Sequence, residues 1–450
     1  MHDHLLPPAL VGNTRAIALI DPDGSVAWLA LPLASDAPLF DRHAAAPGLA
    51  GAFTLAPLDA TAHTRAYVGE TAVLRTTWET ASGSASVLDY LPLRPGPTGA
   101  GKVPHDRLVR VVEGIAGEIT FEVRLAPLLD GPADVSFDPN GILFAGPTRT
   151  LILQTEQQVH PHGGEVAARF TLKAGEKRHF VLTLVADGDP DVPEMKSTEP
   201  LWDLDGTFDF WLGWARELPF QGVQRPAVLK LASAVRAALL PPEAYLGGLV
   251  PGPGREFALG APVALASWGW TAPFEAVLAG GPRLAAGDAA VAASFFAWLA
   301  PAQRAGLIEA NSLPAHWAPW AAIAERLATA PVGPAAGLRG AADLADDLLL
   351  EGDHPAWLAA AGPYEPPCVD DVAFDALAPA AAVGAIAAEL EGGAYLQARR
   401  RMDRWLQAYD PLAPGHDWLA SAHALALAAR LYLAEPPTPG RVDMPGDLGT

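Results

Sequence analysis

Short apolar runs separated by turn residues fill the first part of the chain, and alanine-rich stretches of helical spacing fill the second. Up to about residue 186 the runs are Ala16–Ile20, Val26–Leu31, Ala72–Glu79, Ala85–Leu91, Leu108–Glu113, Ile119–Leu125, Leu151–Gln154, Ala167–Leu172 and His179–Leu184. They are rich in Val, Thr, Leu and Phe, and Gly, Pro, Asp or Asn stands between them, as expected of strands joined by turns. Asp21-Pro22-Asp23-Gly24, after the first run, is such a turn. Apolar and polar positions alternate most clearly in HFVLTLVA, from His179. Many short strands without long helical segments predict an antiparallel β-sandwich over residues 1–186.

Residues 187–203 predict a linker, because DGDPDVPEMKSTEP is polar, contains proline and is poor in apolar residues. From there to residue 450 the pattern is helical. Phe208, Trp211 and Trp214 share one helix face by their i, i+3, i+6 spacing. Further helices are predicted over 224–240, 273–280, 285–300, 317–329, 335–350, 370–391, 394–408 and 418–434. Alanine favours helix in them and permits close packing. Helix-loop-helix units of this length predict an α/α bundle or toroid over 204–450. Two connections are rich in Trp, Pro and Gly, Leu246–Pro273 and Leu307–Trp320, and loops are where sites are built.

Charge narrows the function. The chain carries 30 basic and 51 acidic residues, a net charge of −21. Nucleic acids and anionic membranes call for basic patches, so neither is an expected partner. The one cysteine, Cys368, allows no internal disulfide and no cysteine metal cluster, which fits a reducing cytosol. The opening MHDHLLPPALVGN has no basic segment followed by an apolar run, so neither a leader nor a membrane span is expected.

The chemistry concentrates in Gly306–Trp320, GLIEANSLPAHWAPW. Glu309 stands there among apolar and aromatic residues, with Asn311, His316, Trp317 and Trp320 close behind. A carboxyl that loses water has a raised pKa, as a general acid near neutral pH requires. Tryptophan faces suit the apolar faces of sugar rings. The same residues also read as a helix-capping acid and core tryptophans. No GxxxxGK(S/T) loop, dinucleotide fingerprint, HExxH or GxSxG elbow is present, which leaves carboxylate chemistry with no cofactor and no metal. Two carboxylates on opposite faces of a glycosidic bond suffice to hydrolyse it. Candidate partners for Glu309 are Glu256, Glu275, Asp370, Asp371, Asp410 and Asp417. Trp268 and Trp270, in Ser267–Trp270, serve equally as a sugar platform or as core.

Val11–Phe40, VGNTRAIALIDPDGSVAWLALPLASDAPLF, resembles the opening of bacterial glycoside hydrolase family 15 proteins, the glucoamylase-like enzymes and trehalases. The similarity continues through Arg65–Thr80, Val87–Pro92 (VLDYLP) and Arg107–Gly117 (RLVRVVEGIAG). In the helical part, FWLGWARE resembles the family's entry helix. GLIEANSLPAHWAPWAAIAERL resembles the stretch that supplies the general acid, and the run from Tyr409, YDPLAPGHDWLASAHALALAARL, resembles the closing region. The resemblance implies a β-sandwich followed by a six-pair α/α barrel with a sugar pocket at its mouth. It implies Glu309 as acid, with His316 and Trp317 as its neighbours and His423 at the family's histidine, while Trp268, Trp270 and Trp320 are sugar-contact candidates from their aromatic stretches alone.

The chain departs from that pattern in three places. Where the family has Trp-x-Arg-Asp, this chain reads SWGWTAP, without the Arg and the Asp. Gln407 and Ala408 stand where the catalytic base belongs, which leaves Asp410 or Asp417 for that role. The stretch from Gly280 to Glu309 is short, so the barrel is expected to be incomplete. Two readings stay open: an inverting hydrolase of a small α-glucoside such as trehalose or a short α-glucan, and a catalytically inactive descendant that binds carbohydrate or acts in assembly. A phosphorylase would need a basic phosphate pocket, and Arg255 alone does not make one. The alanine-rich helices are compatible with a homo-oligomer.

Overall fold

A computed structural model describes residues 8–237 and 374–432, apart from 14, 34–35, 43–50, 96–100, 104–105, 132, 186–198, 218–221, 378, 414–420, 422–423, 426 and 429–430. The N-terminal region is antiparallel β-structure organised around one long strand, β11 (Arg107–Ala126, 20 residues). Its first half pairs with β8 (Gly83–Tyr90) on one side and β17 (Lys177–Val185) on the other. Its second half pairs with β5 (Ala52–Pro57) and β16 (Glu165–Lys173). One backbone thus belongs to two sheets, and both of its edges are hydrogen-bonded along most of its length.

The two expected strands Leu108–Glu113 and Ile119–Leu125 are therefore one. The Gly114–Gly117 segment between them is a bulge, with a register shift at Gly114/Ala116. Gly117 sits at φ +62°, against the backbone of Ser82, a position that suits glycine alone. A glycine pair read as punctuation bends the strand from one sheet into the other without ending it.

One sheet continues from β5 through β3 (Ser25–Leu29), β2 (Ile17–Ile20) and β1 (Ala9–Gly12), and β4 (Phe40–Asp41) pairs with β3. The other sheet has β6 (Ala62–Tyr67) and β7 (Leu74–Glu79) beyond β8. On its far side β17 is followed by β14 (Thr150–Thr155), β13 (Gly141–Ala145) and β12 (Asp134–Asp138). β15 (His160–His162) pairs with β16, and β9 (Arg94–Pro95) with β10 (Gly101–Lys102). Phe53, Leu55, Phe121, Val123, Leu125 and Phe170 of one sheet share a core with Leu74, Trp78, Val87, Phe144, Leu153, Phe180 and Leu182 of the other.

The clean alternation lies in β7, LRTTWE, and β16, EVAARFTLK, whose alternate residues are buried. HFVLTLVA does not alternate in burial, since His179 through Thr183 are all buried. Phe180 and Leu182 face the sandwich core, while Val181 joins Val73, Tyr90, Val109 and Val111 in a second cluster on the outer face. Leu204 and Phe208 of helix α1 (Glu199–Glu217) cover that cluster. α1 opens inside the stretch read as linker, because the acids that make 199–203 look solvated are bound to the sandwich. Arg107 donates to Glu199 (2.9 Å) and to Asp203, and Arg94 donates to Asp203 (2.8 Å). Helix α2 (Arg225–Ala237), helix α3 (Pro379–Glu391) and helix α4 (Tyr395–Ala408) follow. Helical positions between 421 and 432 complete the described part and pack with α2, α3 and α4 around one apolar cluster. The helices expected at 273–350, and with them the closure of a barrel, lie outside the described residues.

The charge most deeply buried in the sandwich is Arg110 on β11, with no exposure, beside Asp89 at 1%. Its Nε donates to Asp89 Oδ1 (2.7 Å), and its two Nη atoms donate to the carbonyls of Phe53 (3.0 Å) and Gly24 (2.6 Å). Gly24 holds φ +81°, and a Cβ there would lie 2.7 Å from the Leu55 carbonyl oxygen. Removing one partner of a buried pair leaves the other charged and unsolvated, which costs about 3–5 kcal/mol. Asp89→Ala is expected to lower unfolding stability by about that much in chemical denaturation. Arg124→Ala, which breaks an exposed pair with Glu165, is expected to change it by less than about 1 kcal/mol.

Glu156 provides a pH signature. Burial pushes its carboxyl up, but hydrogen bonds from the His179 ring (2.8 Å) and backbone N–H (3.0 Å) outweigh burial and leave it below its ordinary value of 4.5. A carboxyl lowered on folding adds stability above its unfolded pKa and loses it as pH falls through the folded one. The melting temperature is expected to fall as pH drops below about 4.5, and Glu156→Gln to flatten that part of the profile.

Candidate functional site

Of the residues singled out by sequence, Asp410 is the one in the described part of the chain. Glu309, Asp417, Trp268, Trp270, His316, Trp317, Trp320 and His423 lie outside it, as do Glu256, Glu275, Asp370 and Asp371. Asp410 stands in the turn after α4, where the helices meet the sandwich.

Three elements build this corner. α4 ends at Ala408, and the turn from Tyr409 leaves the helix with extended backbone at ψ 119°. Asp410 Oδ1 accepts the backbone N–H of Leu412 (3.1 Å), the local turn that aspartate favours. From α2, the Lys230 ammonium reaches the Tyr409 carbonyl (3.5 Å) and Asp410 Oδ1 (3.7 Å). From the sandwich, β6 presents Arg65 and Tyr67. Arg65 donates to the Ile20 carbonyl (3.3 Å). The Tyr67 hydroxyl donates to the Leu10 carbonyl (2.7 Å) and accepts the Leu10 N–H (3.1 Å), completing the backbone of β1.

The electrostatics follow from burial. Burial pulls the Arg65 guanidinium below its ordinary value, partly offset by Tyr67 and by the carboxylates of Asp21, Asp89 and Asp410. Burial pushes the hydroxyls of Tyr67 and Tyr409 up, so both are neutral phenols at any physiological pH. Asp410 is about half exposed and already engaged by an ammonium and a backbone N–H. The arrangement holds a turn in place.

Sequence reasoning missed Arg65, Tyr67, Lys230 and Tyr409 as a group. Arg65 and Tyr67 sit in a run noted for its family pattern, but nothing local says that they lie near the turn after α4. Among the described residues no group of three or more His, Cys, Asp or Glu is placed to hold a metal ion. Among the same residues no helix is long and apolar enough to cross a membrane.

Residues 7–200 match the family described as trehalase-like, N-terminal. A solved structure of a bacterial glucoamylase complexed with acarbose is similar over 75% of this chain and 65% of its own, at 10% identity and a TM-score of 0.39. The chain therefore spans a little under two thirds of that enzyme. No curated protein matches the chain.

Proposed function

We propose that the chain is a glycoside hydrolase acting on a small α-glucoside, of the trehalose or short α-glucan type, because residues 7–200 match the family described as trehalase-like, N-terminal. The match of that domain is the observation that carries the reading. Glu309 in its apolar, tryptophan-rich stretch supplies the chemistry. It protonates the glycosidic oxygen as the bond to the anomeric carbon breaks. A second carboxylate takes a proton from water, which attacks the opposite face of the ring, so configuration inverts. No cofactor enters this reaction.

Asp410 and Asp417 are the two candidates for the base. Asp410 is held by Lys230 and by the Leu412 N–H at the sandwich junction, which favours Asp417. His316, Trp317, Trp320, Trp268, Trp270 and His423 are the proposed sugar contacts, with tryptophan faces against the ring. The net charge of −21 favours a neutral substrate over an anionic one.

The departures in sequence favour a second reading. SWGWTAP lacks the Arg and Asp of the family segment, and Gln407 and Ala408 replace the acids expected before the YDP run. On this reading the chain binds carbohydrate, or serves in assembly, without cleaving it.

Glucose release from a panel of α-glucosides that includes trehalose separates the two. Release by the wild type that falls by about 10²–10⁴ in Glu309→Gln is expected for the hydrolase, the usual worth of a general acid. No release from any member, together with a sugar-induced rise in melting temperature, would establish the binding protein instead.

A further inference from the structure

The turn after α4 joins two apolar clusters that are otherwise separate. Tyr409 is 9% exposed and belongs to the helical cluster with Val228, Leu229, Ile386, Met402 and Leu406. Its ring stacks on Trp405 at 5.1 Å. Leu412, three residues on and 6% exposed, belongs to the sandwich core. A few ångströms of chain therefore carry one side chain in each core.

Two polar contacts flank the crossing. Ser233 of α2, 2% exposed, donates to the Glu70 carbonyl in the loop between β6 and β7 (2.8 Å). Lys230, one helical turn earlier, spans the Tyr409 carbonyl and Asp410. The Lys230–Asp410 pair is long and exposed, and such pairs contribute little. Packing of Leu412 is the larger effect, since a leucine lost from a core is among the more costly truncations.

We infer that the Tyr409–Leu412 turn is a latch: Leu412 plugged into the sandwich core makes the sandwich and the described helices one cooperative unit, with Asp410 shaping the latch. The inference does not depend on the chain being a hydrolase. It explains why a polar turn at a helix end buries an aromatic on one side and an aliphatic on the other. It also gives the Lys230 and Ser233 contacts a common purpose, which is to hold α2 and the turn against the same edge of the sandwich. If the two cores were independent, truncating Leu412 would loosen the turn and leave the opening of β1 and α2 unchanged.

Hydrogen exchange followed by mass spectrometry on the full-length protein reads this segment by segment. Leu412→Ala is expected to speed exchange of the slowest amides in β1, α2 and α4 together, by about tenfold or more. Leu396→Ala, on the exposed face of α4 at 72% exposure, is expected to leave all three unchanged. Asp410→Asn is expected to shift the same three segments in the same direction by a smaller factor. Faster exchange confined to residues 395–413, with β1 unchanged, would overturn the latch, as would no change anywhere. Should Leu412→Ala fail to fold, Leu412→Val is read by the same criteria.

Discussion

One constraint underlies the β region: β11 must satisfy two sheets with a single backbone. Over 20 residues it pairs with β8 and β17, bends at a glycine bulge, and then pairs with β5 and β16. Unpaired backbone groups inside a sandwich would cost far more than the bulge does. The strand is therefore continuous, and the glycines absorb the change of direction. Everything else is placed by reference to it. The core lies between the two halves, α1 lies on the outer face of the first half, and Arg107 and Arg110 project from the same segment to opposite tasks.

Those two arginines show how burial sets the worth of a charge. Arg110 joins β8, β5 and the β2–β3 turn through one guanidinium, with each partner inside the sandwich. Arg107, 2% exposed, reaches Asp203 and Glu199 and so fixes where α1 begins. A surface pair such as Lys173–Glu118, more than half exposed on both sides, is screened and entropically costly to hold. The buried pairs specify the fold because they leave no alternative partner; the surface pairs decorate it.

Much of the β region could be read from sequence, because strands with apolar runs and turn residues between them announce themselves. Two of the strands that escaped have no such signal. β6, AHTRAY, has no buried residue, and β12, DVSFD, lies at a sheet edge and is mostly exposed. The linker was misjudged at its end for a related reason. Acidic residues read as solvated unless their basic partners are known, and Arg94 and Arg107 lie about a hundred residues away in sequence. The site was legible only as a local pattern around Glu309. A carboxylate to pair with the proposed acid would be placed by tertiary structure, which spacing does not encode, and the junction of Arg65, Tyr67, Lys230 and Tyr409 is equally non-local.

The residues that carry the family resemblance turn out to be structural where the structure describes them. The DPDG turn supplies Gly24, whose carbonyl receives Arg110. VLDYLP supplies Asp89, which pairs with it, and RLVRVVEG supplies Arg110 itself. Three separate stretches of recognisable sequence thus converge on one buried network. Removing any partner would leave a buried charge unsatisfied, and that cost falls on folding whatever the protein's activity. A strong likeness in this domain is accordingly evidence for a fold, and a fold does not fix a reaction.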